Sequence, residues 1–484
     1  MSYSRKQSTH SLINRGTIYS LSSGHGKCGV AVIRVSGPQA SDAVKKVINR
    51  DSLPAPRKSH LMKFYHPVSF EAIDKGLLLW FPCPKSFTGE DCAEFQVHGG
   101  SAVTTAMYDA LGSIPGLRTA EAGEFTKRAF MNNKLDLTEV EGLADLIHAE
   151  TEIQRKQALR QMDGDLSQLY MSWRQILVKC AANIEAYIDF GEDENIEDDV
   201  IQTVNEEIKK LYVKIENHLK DNRKGERLRS GVHVVIIGQP NVGKSSLLNL
   251  LCRRPAAIVS PIAGTTRDII ESAVNIGGYP VLLSDTAGLH QADDDIIEVE
   301  GIRRAIKRAQ EADIKVIVVD STKLLSKMSN TQDFISKHLK ELGITTESSN
   351  DEIDLSEVIL VLNKIDLLKN NIDIKSRDLK TIAKLSCVTQ DGIDDFLALL
   401  TEKIKNLCGN PLAGNPSLTQ TRHRTHLHNC IYHLNQYKQY IELEDVVLAA
   451  HQLHLALREI GKITGKISSE EILDVVFRDF CIGK

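Results

Sequence analysis

Gly238-Gln239-Pro240-Asn241-Val242-Gly243-Lys244-Ser245 has a glycine at each end of a short loop, then a lysine and a hydroxyl. That spacing suits a phosphate cradle. The glycines let backbone N–H groups turn inward, Lys244 neutralises the outer phosphates, and the Ser245 hydroxyl ligates Mg²⁺. Ser246 and Leu247 open a helix whose N-terminus favours anions. A plain glycine-rich turn is the alternative, but the apolar strand before the motif and the apolar helix after it favour the cradle. Three elements follow in order. Gly264-Thr265-Thr266-Arg267-Asp268 supplies a threonine to close on Mg²⁺ and the γ-phosphate. Asp285-Thr286-Ala287-Gly288 ends a strand; Asp285 suits the metal's shell, and Gly288 offers an N–H to the γ-phosphate. Asn363-Lys364-Ile365-Asp366 ends another strand, and its carboxylate suits the N1 and N2 donors of guanine. Adenine would leave that carboxylate unpaired. Leu385-Ser386-Cys387 then supplies the serine expected beside the base. Each short motif is weak alone; in order and at strand ends they define a guanine-nucleotide site.

The elements that position these residues are legible in outline. Val234 to Ile237, Val281 to Leu283, Val316 to Val319 and Val358 to Leu362 are short apolar runs, as buried parallel strands are. Helical stretches between them predict a doubly wound α/β domain over 231–406. Before it, residues 134–230 space apolar residues for helices, as in Ile201, Val204, Ile208, Leu211, Ile215 and Leu219. The acidic run Gly191 to Asp199 is expected to be a solvated link, and Gly409 to Pro416 a linker. Residues 407–484 are helical again, so the α/β domain is expected to be an insertion between flanks that pack together. Residues 17–133 hold strand-like runs at Thr17 to Tyr19, Val30 to Val35, Leu77 to Phe81 and Glu94 to Val97, a turn at Gly24-His25-Gly26, and an α+β pattern.

Composition bounds the function. The chain has 484 residues, 42% hydrophobic and 25% charged, with a net charge of −5. Global disorder and coiled coil are excluded, and nucleic acid must be met by local patches rather than bulk charge. Nine scattered cysteines without a Cys-x-x-Cys pair fit a reducing compartment and no zinc ribbon. No apolar run is long enough to span a membrane. Residues 1–16 read either as an Arg- and Ser-rich transit segment or as a short tail.

Residues outside the phosphate loop carry a resemblance. Phe87-Thr88-Gly89-Glu90-Asp91 with His98-Gly99-Gly100, Gly123 to Phe130 with Asn133 to Leu137, Ala186 to Phe190, and the ending Phe480-Cys481-Ile482-Gly483-Lys484 resemble the MnmE/TrmE tRNA-modification GTPases, from about Thr17 to Lys484. The ending and the N-terminus look like the mitochondrial branch. The resemblance implies three parts: an α+β N-terminal domain similar to folate-binding domains, which dimerises; a discontinuous α-helical domain; and an inserted P-loop, Ras-like GTPase domain. It implies a homodimer, a flavin-dependent MnmG/GidA-type partner, and an aminomethyl-type group placed on C5 of the wobble uridine of certain tRNAs, taurinomethyl in animal mitochondria. It favours the mitochondrial matrix, or the cytoplasm for a bacterial source.

Residue by residue, the resemblance assigns a 5-formyl-tetrahydrofolate-type folate to Arg34, Glu94, Lys134 and Lys484. It gives Cys481 a possible part in modification chemistry, against the alternative of a small buried side chain. It extends the nucleotide site to Asn241 through Ser246, Ser260, Thr265, Thr266, Asp285 through Gly288, Asn363, Lys364, Asp366 and Ser386, with Mg²⁺ on Ser245 and Thr266. Leu289 follows Gly288 where Ras-type enzymes place a water-orienting glutamine nearby. The resemblance instead implies Glu298 as the catalytic carboxylate, with Glu300 open because this loop has one extra residue, alongside Lys244 and Thr266. It replaces an arginine finger with K⁺ held by Asn241, Ser260, Ile262 and Thr265. Two departures stand out. Ser22-Ser23-Gly24-His25-Gly26 lacks the family's usual arginine, and Ser386-Cys387-Val388 keeps only the serine of the last guanine motif. A GTP-switched ribosome-assembly factor shares the phosphate motifs; the N-terminal domain and the C-terminal ending argue against it. A metabolic ATPase is opposed by Asn363 to Asp366.

Overall fold

The computed structural model describes residues 16–24, 26–190, 199–221, 223–253, 271–285, 307, 310–323, 357–368, 381–409, 416–467, 476, 477, 480 and 483. The chain divides into two compact units. The first holds Met1–Ala144, Ser167–Met171 and Ile460–Lys484; the second holds Asp145–Leu166 and Ser172–Glu459.

The first unit is built on strands β1 (Thr17–Leu21), β2 (Cys28–Ser36), β3 (His60–Tyr65), β4 (Ala72–Phe81), β5 (Cys92–Gly99) and β6 (Leu117–Thr119). Their order is β3-β4-β5-β2-β1-β6, antiparallel except for the parallel pair β1 and β6. Alternation along the strands sorts the side chains. Ala31, Ile33 and Val35 of β2 and Ala93, Phe95 and Val97 of β5 enter one core with α1 (Ala40–Ile48) and α2 (Ser101–Gly112). Arg34 and Glu94 fall on the opposite face and are direct partners in the β2–β5 register. Helix α3 (Glu124–Met131) buries Phe125 with Ile18 and Ala120 in a smaller cluster. Helix α4 spans Leu137–His148.

The second unit carries a six-stranded sheet of β7 (Val232–Ile237), β8 (Glu271–Ile276), β9 (Tyr279–Asp285), β10 (Ile314–Asp320), β11 (Val358–Asn363) and β12 (Ile382–Lys384). The order is β12-β11-β10-β7-β9-β8, parallel except that β8 runs antiparallel to β9. Beside it lie α9 (Lys244–Cys252) and α10 (Ile393–Cys408), which bury Leu247, Leu251, Phe396 and Leu400 in the sheet's core. The described strands reproduce the four apolar runs read from the sequence. Neighbouring strands leave β7 in opposite directions, so a crevice opens at its carboxyl end, where ligands of such sheets bind.

Helices α5 (Glu152–Met162), α6 (Asp165–Phe190), α7 (Asp199–Leu219), α8 (Lys224–Ser230), α11 (Thr421–Glu442) and α12 (Val446–Thr464) complete the described elements. A Thr151–Gln154 capping box starts α5. Helix α7 buries Val204, Ile208, Leu211 and Ile215 along one stripe, as its spacing predicts. It lies against α11, where Tyr437 Oη donates to Asn205 Oδ1 at 2.7 Å. Arg424 of α11 reaches Asp221 at 2.7 Å and Glu226 at 3.0 Å. Among the described residues, no helix is long and apolar enough to cross a membrane. The acidic run 191–198 and most of the linker, 410–415, lie outside the described residues.

Candidate functional site

The crevice at the carboxyl end of β7 is a cleft of about 670 Å³, a size that suits a small-molecule ligand. Its floor is the phosphate loop. Gly238 follows β7 directly, where a Cβ would stand 2.3 Å from the Val318 carbonyl oxygen of β10. Asn241 (φ +59°) and Gly243 (φ +102°) are both left-handed, which turns the loop back on itself. Gly243 caps α9, so the helix's first N–H groups face the cleft. Lys244, only 7% exposed, bends back over the loop and donates from Nζ to the carbonyls of Gly238 and Gln239, both at 3.0 Å. Ser245 and Ser246 follow in the first turn and line the cleft, as do Asn241 and Gly243. Val242 is buried and presents its carbonyl inward, where Asn363 takes it.

The opposite wall comes from the ends of β11 and β12. Asn363 is 2% exposed and ties the two walls together. Its Nδ2 donates to the Val242 carbonyl at 2.7 Å, and its Oδ1 accepts from the Cys387 N–H at 3.2 Å. A Cβ at residue 243 would meet Asn363 Nδ2 at 2.2 Å, so the glycine is needed for this contact as well as for its φ. Asp366 sits exposed in a short 3₁₀ turn, Ile365–Leu367, at the rim beside Leu367. Ser386 is fully buried, and its Oγ accepts from the N–H groups of Val388 and Thr389, each at 3.2 Å. It therefore shapes the loop that presents Cys387 and Val388 to the cleft. Burial pushes the Cys387 thiol up, which disfavours its thiolate form in the cleft lining.

One residue here was not singled out in the sequence. Asp320 closes β10, level with Asn363 in the β10–β11 register. Its carboxylate accepts from Lys364 Nζ at 2.8 Å and from the Thr322 N–H and hydroxyl at 3.0 and 2.7 Å. Burial pushes this carboxyl up, but the hydrogen bonds outweigh it and hold it below its ordinary value. Ser321 Oγ bonds the Asn363 carbonyl, so the end of β10 also braces the base-side wall. The signal available in the sequence was an acid at the carboxyl end of a central parallel strand.

Asp285 closes β9, paired with Ile236 near the end of β7, which puts it at the same edge of the sheet as the phosphate loop. The Ser245 hydroxyl in the cleft lining is a hard oxygen donor of the kind Mg²⁺ takes. Ser260, Ile262, Thr265, Thr266, Thr286, Ala287, Gly288, Glu298 and Glu300 lie outside the described residues, as do Cys481 and Lys484.

A second candidate site lies on the outer face of the first unit's sheet. Arg34 Nε donates to Glu94 Oε1 at 3.0 Å, with Nη2 at 3.0 Å from the same oxygen. The guanidinium stands 4.9 Å from the Phe87 ring centre and 5.7 Å from that of Phe125. Phe87 belongs to a loop pinned from several sides. Ser36 Oγ bonds Thr88 Oγ1 at 2.7 Å and Glu90 Oε2 at 2.8 Å, Arg128 Nη1 donates to Glu90 Oε2 at 3.0 Å, and Asn132 Nδ2 donates to the Thr88 carbonyl at 2.6 Å. The exposed Lys134 passes over Gly89 of that loop; a Cβ there would lie 3.3 Å from Lys134 Cε. Ser22 Oγ donates to the Gly483 carbonyl at 2.8 Å, which brings the chain's penultimate residue to the end of β1.

The order of strands, the glycine-rich loop capping α9 and the Asn363–Asp366 wall define a P-loop guanine-nucleotide-binding protein. Comparison narrows the class. A family model described as the MnmE helical domain matches residues 137–481, and one described as the GTP-binding protein TrmE N-terminus matches residues 17–134. A mitochondrial 5-taurinomethyluridine-tRNA synthase subunit GTPB3 of Danio rerio is 56% identical, over 97% of this chain and 93% of its own. Its Homo sapiens namesake is 49% identical, over 97% and 93%. A tRNA modification GTPase MnmE of Parvibaculum lavamentivorans is 45% identical, over 97% of this chain and all of its own. The chain belongs to the MnmE/TrmE family of tRNA-modification GTPases.

Proposed function

We propose that this chain is the GTP-hydrolysing subunit of an enzyme that modifies C5 of the wobble uridine of certain tRNAs, adding an aminomethyl-type group that is taurinomethyl in animal mitochondria. The observation that carries the proposal is one chain joining a guanine-nucleotide cleft to a TrmE N-terminal region. The names of the relatives supply the substrate class, and the mitochondrial relatives favour a mitochondrial location. The working organisation is an N-terminal domain over 17–133, a helical domain over 134–230 and 407–484, and an inserted GTPase domain over 231–406.

In this reading Lys244 and the N-terminus of α9 hold the phosphates, Ser245 and Thr266 hold Mg²⁺, and Asp366 selects guanine. Glu298 orients the attacking water. Asn241, Ser260, Ile262 and Thr265 would hold K⁺, which would supply positive charge against the charge that develops on the phosphates. The left-handed Asn241 at the cleft's edge supports that assignment. The chain acts as a homodimer with a flavin-dependent MnmG/GidA-type partner. A 5-formyl-tetrahydrofolate-type cofactor binds at Arg34, Glu94, Lys134 and Lys484. The aromatic Phe87 beside Arg34 and the cationic Lys134 over Gly89 suit a ligand with an aromatic body and carboxylates. When bound, the folate supplies a one-carbon unit.

Steady-state hydrolysis of GTP and ATP, in KCl and in NaCl at equal ionic strength, tests the nucleotide half. GTP-specific turnover should rise at least tenfold in K⁺, and Glu298→Ala should lower it by about 10²-fold. Turnover indifferent to the cation would remove the K⁺ assignment. Mass spectrometry of tRNA from cells lacking the chain tests the other half: an unchanged wobble uridine would sink the modification reading.

A further inference from the structure

The β3–β4 hairpin carries features that neither the nucleotide cleft nor the Arg34–Glu94 site uses. Lys63 and Lys75 are direct register partners, both exposed. Among the described residues neither has an ion-pair partner. Like charges set opposite one another weaken strand pairing, so their placement has no structural benefit. Asp74, the acid next to Lys75, is committed elsewhere: its Oδ1 lies 2.9 Å from His98 Nδ1, and its Oδ2 accepts the His98 N–H at 2.8 Å. The turn itself displays Val68 and Phe70, 69% and 62% exposed. Phe70 has φ +56°, a left-handed backbone that bulky side chains avoid.

The turn holds Phe70 there. His66 Nδ1 accepts from the N–H groups of Val68 and Ser69, each at 3.2 Å, and the Phe70 N–H donates to the His66 carbonyl at 2.9 Å. The His66 N–H donates to the Glu71 carbonyl at 2.9 Å, and its Nε2 stands 3.4 Å from Asp109 Oδ2 on α2. Strain kept at an exposed residue by its surroundings points to a task outside the fold. A preset aromatic ring ahead of two unneutralised cations matches single-stranded nucleic acid: a base stacks on the ring, and flanking phosphates meet the cations. An apolar protein partner would use the ring but bury the lysines unpaired; an acidic peptide would leave the ring unused. A duplex keeps its bases stacked and offers Phe70 no free face.

We propose that the β3–β4 hairpin is a tRNA-contacting finger, with an unpaired base on Phe70 and neighbouring phosphates on Lys63 and Lys75. The proposal rests on the tRNA reading above, whose target, a wobble uridine, lies in a single-stranded loop. The local charge also answers the problem set by the chain's net charge of −5.

The test is fluorescence anisotropy of a labelled anticodon stem-loop titrated with the full chain, alone and with the flavin-dependent partner, across a range of KCl concentrations. Phe70→Ala should weaken binding about tenfold with little change in salt dependence, and Phe70→Trp should restore it. Lys63→Gln with Lys75→Gln should reduce the slope of log affinity against log salt by about 1.4. GTP hydrolysis should be unchanged in all of them, which controls for folding. Wild-type affinity and slope in every variant would overturn the finger and leave the tRNA reading standing. A wild-type chain that binds no stem-loop in either format overturns the finger; unchanged wobble uridine in cells lacking the chain is what sinks the tRNA reading.

Discussion

The nucleotide cleft and the Arg34–Glu94 site do their positioning in opposite ways. In the cleft, backbone does most of the work. Left-handed residues at 241 and 243, a helix start and the ends of parallel strands set the geometry, and side chains such as Asn363 lock the loops to each other. On the N-terminal sheet, the backbone is ordinary strand, and two side chains meet only because register brings residues 34 and 94 together. A backbone-built site depends on residue types at fixed local spacing. A register-built site depends on the whole sheet being correctly paired.

The sharpest way to break this contrast is to add one methyl-bearing branch to the phosphate loop. Gly243→Val places a Cβ where Asn363 Nδ2 already stands, at a φ that L side chains rarely adopt. GTP affinity should fall at least 10²-fold, about 3 kcal/mol, while the N-terminal unit keeps its fold. Titration calorimetry with GTP, beside circular dichroism, checks both halves. Normal affinity would mean that the loop's backbone does not set the site.

The same contrast explains what could be read from the sequence. The phosphate loop, Asn363–Asp366 and Ser386 were legible because local spacing encodes a loop's conformation. The apolar runs that became β7, β9, β10 and β11 were legible because buried parallel strands are apolar throughout. Asp320 was not, since its part depends on Lys364 arriving from a neighbouring strand end. Strand β3 was missed as well: His60-Leu61-Met62-Lys63-Phe64-Tyr65 places apolar residues on both faces and blurs the alternation. Arg34 and Glu94 were reached only through a resemblance, because no local pattern announces a partner so far along the chain.

A double-mutant cycle sharpens the register side. Arg34→Met, Glu94→Gln and the double variant should give a coupling of about 2 kcal/mol in urea unfolding. That exceeds a surface pair because the two side chains are only 18% and 21% exposed and the guanidinium faces aromatic rings. A coupling near zero would show that the pair adds nothing to the stability of the sheet.

The smallest effect is a pH dependence in the cleft. Asp320 has a lower carboxyl pKa folded than its ordinary 3.8, since bonds from Lys364 and Thr322 outweigh the cost of burial. Its contribution is therefore fully present above about pH 4 and is lost as pH falls through the folded value. Lys364 is partly exposed, so the contribution should be about 1 kcal/mol. Asp320→Asn should lower the urea midpoint at pH 6, and the gap from wild type should close as pH is taken below 3.8. The Arg34–Glu94 pair serves as the internal control, because Asp320→Asn lies in the other unit and should leave its coupling energy unchanged at every pH where the sheet is folded. A gap that stays constant into acid would mean that Asp320 braces the end of β10 through its shape and neutral hydrogen bonds. The base-side wall would then be held by neutral hydrogen bonds alone, of the kind Asn363 makes to Val242 and Cys387.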